Sequence, residues 1–77
     1  MDETKQTLGQ QLVSWNPKGY DNPLVGEIKS KYAEIIDTLD KVRNESEDPQ
    51  VKRLTSTAIT QAEIASMCAV KAVTWSK

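Results

Sequence analysis

The chain has 77 residues, a formal net charge of −1 and 27% charged side chains. This balance argues against a general DNA- or RNA-binding protein, because such proteins carry an excess of Lys and Arg. One cysteine and no histidine exclude a disulfide framework and a zinc site within one chain, so a domain this small is expected to gain stability by oligomerising.

The N-terminal part, residues 2–14, is weakly helical. Leu8, Leu12 and Val13 give it a thin apolar side, and Gly9 weakens the helical pattern. We expect a short helix or an ordered arm that needs a partner to hold it, since so short a helix is unstable by itself. The polar start lacks the apolar core of a signal peptide, so we expect a soluble cytoplasmic protein.

Residues 15–23 form the main irregular segment, with Asn-Pro and Lys-Gly turn signals. Trp15 and Tyr20, two of the four aromatic residues of the chain, lie in it. Binding residues concentrate in loops held on a rigid scaffold, so Tyr20 is a candidate ligand-binding residue. The alternative, which the sequence leaves open for both aromatic residues, is that they plug the end of a helix pair.

A first long helix is predicted over residues 23–44, because Asn22 can cap it and Pro23 suits its first position. Its polar side is typical of a solvated face, and Lys29 lies near the edge of the apolar stripe, close to the first turns. The stripe has the spacing of one helical face and consists of Val25, Ile28, Tyr32, Ile35, Ile36 and Leu39.

A second long helix is predicted over residues 49–75, after the polar connector 44–49, with Asp48 as its cap. A short connector between two long helices predicts an antiparallel hairpin. We expect the hairpin partner to cover the alanine side. The opposite side carries Lys71, which should face another copy of the chain or a cavity between copies, where the alternative to a ligand is a salt bridge to a glutamate of a neighbouring chain. The alanine side consists of Val51, Leu54, Ala58, Ala62, Ala65, Ala69, Ala72 and Val73.

The fold class predicted from these elements is all-α: one helical hairpin domain over residues 1–77, with an arm and loop over 1–22, assembling as a homo-oligomer. There is no apolar run of about 18 residues, so no membrane span is predicted. Catalysis is not expected, because histidine, a Gly-rich phosphate loop and a metal-ligand cluster are missing. Without a histidine to activate it, Cys68 is interpreted as a small buried hydrophobic residue.

The loop and helix start do suggest a ligand chemistry. Tyr20 offers a flat ring, and Lys18, Lys29 and Lys31 offer positive charge nearby in the sequence. The N-terminus of the helix at Pro23 adds a partial positive charge. Aromatic stacking together with cations suits a nucleotide base and its phosphate.

The segment from Ala58 to Val73 resembles the second helix of the small phage hairpin domain found in anti-CBASS and anti-Thoeris nucleotide sponges. That family shows T-x-L-E/Q-x-A/G-x-M-x-A-x-x-A-[IV]. The Ile28-Lys29 pair, the N-P-x-G-Y loop and the Asp-Pro helix start also fit, so the resemblance covers residues 15–75. The positions that match the helix pattern are Thr60, Glu63, Ala65, Met67, Ala69, Ala72 and Val73.

The resemblance implies a non-enzymatic phage protein of the host cell cytoplasm that sequesters cyclic oligonucleotide immune messengers intact, so that the CBASS effector is not activated. It implies a homohexamer with pockets between protomers for cyclic dinucleotides such as cyclic GMP-AMP, where Tyr20 stacks on a base and Lys29 meets phosphate. It implies a separate cyclic-trinucleotide site at Lys71. The alternative is a small helical oligomer that inhibits a host protein by surface contact, which needs neither Tyr20 nor Lys29.

Overall fold

The computed structural model describes residues 5–76, and every regular element in this range is helical. The helices are α1 (Leu8–Leu12), α2 (Pro23–Glu45) and α3 (Pro49–Val73). The all-α prediction is therefore confirmed. The predicted long helices differ from α2 by one residue and from α3 by two at their C-terminal ends. Residues 2–4 of the predicted N-terminal arm lie outside the described range.

The helix starts follow from their capping residues. The Asn22 side chain accepts a hydrogen bond from the Leu24 amide, and the Asp48 side chain accepts one from the Gln50 amide. In both cases proline follows the cap, where its missing N–H costs nothing. The short helix α1 begins with a reciprocal capping box between Thr7 and Gln10, which satisfies two backbone donors at once.

Helices α2 and α3 form an antiparallel hairpin. At one end, the Asn22 side-chain amide donates to the Val73 carbonyl over 3.3 Å. At the other end, Arg43 donates to the Ser56 hydroxyl over 3.1 Å and Lys52 donates to the Arg43 carbonyl over 3.2 Å. The predicted hairpin is thus present.

Helix α1 lies against α2 at a point where only glycine fits. A Cβ atom at Gly9 would be 2.8 Å from the Ala33 Cα and closer still to the Ala33 carbonyl oxygen. The Gly9 amide donates to an Asp37 carboxylate oxygen over 2.7 Å. The glycine that weakens the helical pattern of the arm is therefore the residue that lets the arm dock.

The buried core is small and lies where α1 meets the hairpin. Its members are Val13 from the end of α1, Ala33 and Ile36 from α2, and Ile59 from α3. Ile36 has no exposed surface. Five residues of α1 and the turn after it thus complete a core that two helices alone would leave open.

The predicted faces need correction. Helix α3 buries Thr55, Ile59 and Ser66, and not the alanine side, because its contact with α2 is rotated by about a quarter turn from that side. Leu54 is 56% exposed and Ala72 is exposed as well. The two buried hydroxyls are accommodated because they donate to carbonyls of their own helix, Thr55 to Val51 and Ser66 to Glu63.

The interpretation of Cys68 as a buried residue is wrong for the chain by itself, because Cys68 is exposed. Ile35 belongs to the predicted apolar stripe of α2 and is 49% exposed, because a single neighbouring helix covers only part of that stripe. Within residues 5–76 no helix is both long and apolar enough to cross a membrane.

Candidate ligand-binding site

The loop between α1 and α2 is shaped by two residues in the left-handed region. Ser14 has φ 58° and Gly19 has φ 92°. Ser14 reverses the chain directly after α1, and Gly19 closes a turn in which its amide donates to the Asn16 carbonyl over 3.0 Å. A non-glycine residue at positive φ is uncommon, and here it directs the Ser14 carbonyl towards the start of α2.

Tyr20 folds back into this loop. Its hydroxyl donates to the Ser14 carbonyl over 3.1 Å and accepts from the Asn16 amide over 2.6 Å. Its ring meets the edge of Trp15, with centroids 5.6 Å apart and planes at 65°. This geometry fits the interpretation that both aromatic residues plug the end of the hairpin, and the role of Tyr20 in binding a ligand stays a prediction.

Lys29 lies on the loop rather than in open solvent. Its Nζ donates to the Ser14 carbonyl over 3.1 Å and stands 4.9 Å from the centre of the Tyr20 ring. The lysine therefore covers one face of the ring that a base would stack on. Tyr20 and Lys29 are brought together, as the resemblance implies, but in contact with each other.

Lys71 faces the same cavity as Lys29. A cavity of ≈ 430 Å³ lies between the end of α1 and the last turns of α3, and both lysines line it together with Ser14 and Glu63. Lys71 is exposed and stands 5.6 Å from the Trp75 ring centre. The two lysines were expected at separate sites, and the fold of one chain joins them.

The cavity combines charge with an apolar wall. The Lys29 and Lys71 ammonium groups can attract anions, and Glu63 opposes them with one negative charge. The wall is apolar, so a flat ring could lie against it while the lysines meet its charged substituents. The apolar residues of the wall are Leu12, Val13, Met67 and Val70.

A second cavity, of ≈ 440 Å³, lies on the other side of α1. Glu34 and Asp37 line it with Lys41, so it carries more acid than base and suits an anionic ligand poorly. Among residues 5–76, no three His, Cys, Asp or Glu side chains are grouped so as to hold a metal ion.

Sequence reasoning missed Ser14 and the position of Glu63 beside the lysines. Nothing in the sequence marks Ser14, because its role rests on a backbone angle that most residues avoid. Glu63 was noted only as a matching position in the helix pattern. No family model, curated protein or solved structure matches this chain.

Proposed function

We propose that the protein binds cyclic oligonucleotide messengers and sequesters them intact, as a phage anti-defence sponge acting in the cytoplasm of the host cell. Sequestration would keep the messenger from the effector of a CBASS system. The observation that carries this proposal is the cavity in which Lys29 and Lys71 stand at the edge of an apolar wall. A cyclic dinucleotide offers matching chemistry, with two phosphates and two flat bases.

The two lysines are suited to phosphate. Within residues 5–76 neither Lys29 nor Lys71 is held in an ion pair, so each can bind an anion without first leaving one. Lys29 donates to a neutral carbonyl, and Lys71 stands over an aromatic ring. A phosphate oxygen attracts an ammonium group more strongly than a neutral carbonyl does, because it adds the Coulomb attraction between opposite charges. Binding would therefore draw Lys29 away from Ser14 and uncover the Tyr20 ring for stacking.

The direct test is native mass spectrometry of the purified protein with cyclic GMP-AMP, other cyclic dinucleotides and cyclic trinucleotides. We expect complexes with at least one of them, and recovery of the unchanged ligand after the protein is denatured. Linear dinucleotides of the same bases serve as control ligands. Absence of binding to every cyclic nucleotide would contradict the proposal, and a hydrolysed ligand would indicate an enzyme.

Charge reversal tests the lysines. We expect Lys29→Glu and Lys71→Glu each to abolish cyclic-dinucleotide binding measured by calorimetry, because each removes one phosphate contact and adds a repulsive charge. Lys41→Glu, on the other side of α1, changes the net charge equally and should leave the affinity unchanged. Equal losses in all three variants would indicate a general charge effect and not a site.

The same variants decide whether there is one site or two. The resemblance assigns Lys71 to a separate cyclic-trinucleotide site, whereas the shared cavity favours one site. One site predicts that Lys71→Glu loses both classes of ligand. Loss of cyclic trinucleotides alone, with cyclic-dinucleotide binding intact, would favour two sites.

A substitution at Glu63 tests for a gain of affinity, whereas the lysine variants test for a loss. Glu63→Gln removes the negative charge of the cavity while keeping the size of the side chain, so anion binding should tighten several-fold. Glu34→Gln, which lines a different part of the surface, is the matched control. Unchanged affinity in Glu63→Gln would mean that the ligand does not occupy this cavity.

Tyr20 is tested with two substitutions that separate its ring from its hydroxyl. If the ring stacks on a base, Tyr20→Ala loses roughly 1–3 kcal/mol of binding free energy, and Tyr20→Phe keeps the binding. The hydroxyl bonds to Ser14 and Asn16 are lost in both variants. Equal loss in Tyr20→Phe would show that Tyr20 acts by holding the loop.

We further propose that the protein acts as a homo-oligomer, a hexamer by the family resemblance, which light scattering tests as a mass several times 8.6 kDa. The second candidate function is inhibition of a host protein by surface contact. It is favoured by exposed apolar side chains such as Leu24 and Ile64, which are 51% and 50% exposed. Under it, Lys29→Glu would leave inhibition unchanged.

A further inference from the structure

One side of the hairpin is covered by no other segment of residues 5–76. Helix α1 packs on one side, and the opposite side exposes Ile35 by 49%, Val42 by 43% and Leu54 by 56%. The chain spans 46 × 35 × 12 Å with a radius of gyration of 13.8 Å, against roughly 11.5 Å for a compact chain of this length. The molecule is thus a slab with one large open side.

The surface area of the chain is larger than that of a compact monomer of its size. It exposes 5790 Å², whereas a folded monomer of 8.6 kDa exposes about 4,700 Å². The excess of about 1,100 Å² is close to the roughly 800 Å² that each partner buries in a stable interface of standard size. A second copy is therefore a suitable occupant of the open side.

The spacing of the open side on α3 is that of a packed helix pair. Its residues alternate steps of three and four, the heptad pattern by which two helices pack lengthwise. None of them is charged, although 27% of the chain is. This α3 seam consists of Val51, Leu54, Ala58, Gln61, Ala65, Cys68 and Ala72.

Helix α2 carries a seam of the same kind. It also steps by three and four and is also free of charge. The α3 seam lies about a quarter turn from the side of α3 that faces the hairpin partner. The α2 seam adjoins the side that packs within the chain, since Val25 is buried and Tyr32 and Leu39 pack against the core, while Ile35 and Val42 are exposed. In a four-helix bundle every helix touches two neighbours in this way. This α2 seam consists of Val25, Ile28, Tyr32, Ile35, Leu39 and Val42.

We propose that two copies of the chain pack these seams together about a two-fold axis, forming an antiparallel four-helix bundle in which α3 lies on α3 and α2 on α2. The bundle does not depend on a nucleotide, and it assigns a defined face to the oligomer of the proposed function. A hexamer would then contain three such dimers.

The sizes of the α3 side chains fit one antiparallel register. With the axis at the level of residue 63, Leu54 lies opposite Ala72 of the second copy, Ala58 opposite Cys68, and Ala65 opposite Gln61. Every alanine then faces a larger side chain, so the layers interlock. Gln61 is the polar member, and one polar seam residue is a known means of specifying register.

The α2 seam gives the same position for the two-fold axis without reference to α3. Its full overlap pairs Val25 with Val42, Ile28 with Leu39, and Tyr32 with Ile35, which places the axis between residues 33 and 34. The hairpin contacts join residue 22 to 73, 43 to 56, and 43 to 52. By interpolation, the level between residues 33 and 34 lies opposite residue 63. A single two-fold axis therefore gives the residue pairs of both seams. Sliding one copy along the other by half a heptad would remove one pair of facing residues from each seam.

Engineered cysteine cross-linking tests the register. In Ala58→Cys, the new thiol lies opposite the native Cys68 of the second copy, so mild oxidation should give a covalent dimer on a non-reducing gel. The unmodified protein should give none, because the two Cys68 residues lie about ten residues, or roughly 15 Å, apart along the helices, beyond the 7 Å limit between Cα atoms. The double variant Ala58→Cys, Cys68→Ser should also give none. Absence of the cross-link in Ala58→Cys, or equal cross-linking in all three proteins, would overturn the proposal.

Sedimentation equilibrium without ligand tests the surface. The unmodified protein should have a mass of an even multiple of 8.6 kDa. Ile35→Asp combined with Leu54→Asp should dissociate it while the helical circular dichroism is kept. Thr60→Asp, at an exposed position of α3 that belongs to neither seam and does not line the cavity, should leave the mass unchanged. A monomer of the unmodified protein at 100 micromolar, an odd oligomer, or an unchanged mass in the double variant would overturn the proposal, whatever the outcome for nucleotide binding.

Discussion

The two sides of the hairpin differ in how they are completed. On one side, a five-residue helix and its following turn bury Val13 against Ala33, Ile36 and Ile59, and the same segment lines the two cavities described above. On the other side, the chain supplies an uncharged apolar surface and no segment within residues 5–76 to cover it. The first side is finished within the chain, and the second is suited to another copy. The contrast is between a side that the chain completes by itself and a side that a second copy would complete under the proposal above.

The largest effect is expected from a pair of adjacent isoleucines, one from each side. Ile36 is fully buried and Ile35 is 49% exposed. Ile36→Ala should lower the free energy of unfolding by roughly 2–5 kcal/mol, through lost burial and a cavity. Ile35→Ala should cost less, and its cost should rise with protein concentration if assembly covers it, because binding then adds to stability. Urea unfolding at several protein concentrations measures the free energy of unfolding of both variants. Equal losses would contradict the difference between the two sides of the hairpin.

A smaller effect is expected at the contact that completes the first side. Gly9→Ala places a Cβ against the Ala33 backbone and should cost about 1–3 kcal/mol through overpacking. Gly26→Ala is the matched control, because its Cβ would meet only Tyr20 at 3.4 Å. Gly26→Ala should raise the free energy of unfolding by up to about 1 kcal/mol, because alanine is the better helix former. Thermal unfolding compares the two, and a stable Gly9→Ala variant would mean that α1 does not dock closely.

The smallest effect concerns the start of α1. Thr7→Ala removes the capping box with Gln10 and should cost about 1 kcal/mol. It should also raise amide exchange at Val13 without changing the oligomeric mass. Thr57→Ala, at an exposed site in the middle of α3, should change neither. A change of mass in Thr7→Ala would show that the two sides are coupled.

The sequence was sufficient for the long helices because their signals are local. Asn22-Pro23 and Asp48-Pro49 mark the two starts, and capping is decided by residues two positions away. The hairpin followed from the short connector. The docking of α1 was not predictable, because what Gly9 permits is a contact with Ala33 in another helix.

The faces and the candidate site were only partly predictable. An apolar stripe shows which residues avoid water, but it does not show which neighbour covers each of them, and so Ile35 was grouped with Ile36. Lys29 and Tyr20 were selected together on sequence grounds and do lie in contact. Their shared partner Ser14 was invisible, since its φ of 58° results from the fold.

The side-chain amide of Asn22 forms hydrogen bonds to two helix ends that are far apart in the sequence. Its oxygen accepts from the Leu24 amide at the start of α2, and its nitrogen donates to the Val73 carbonyl at the end of α3. An amide side chain donates and accepts through two separate atoms. Asp48, whose side chain accepts from the Gln50 amide, needs only an acceptor and can be a carboxylate. The first turn of α2 and the last turn of α3 should therefore fray as one unit. Exchanging Asn22 for Asp would keep the cap but separate their opening.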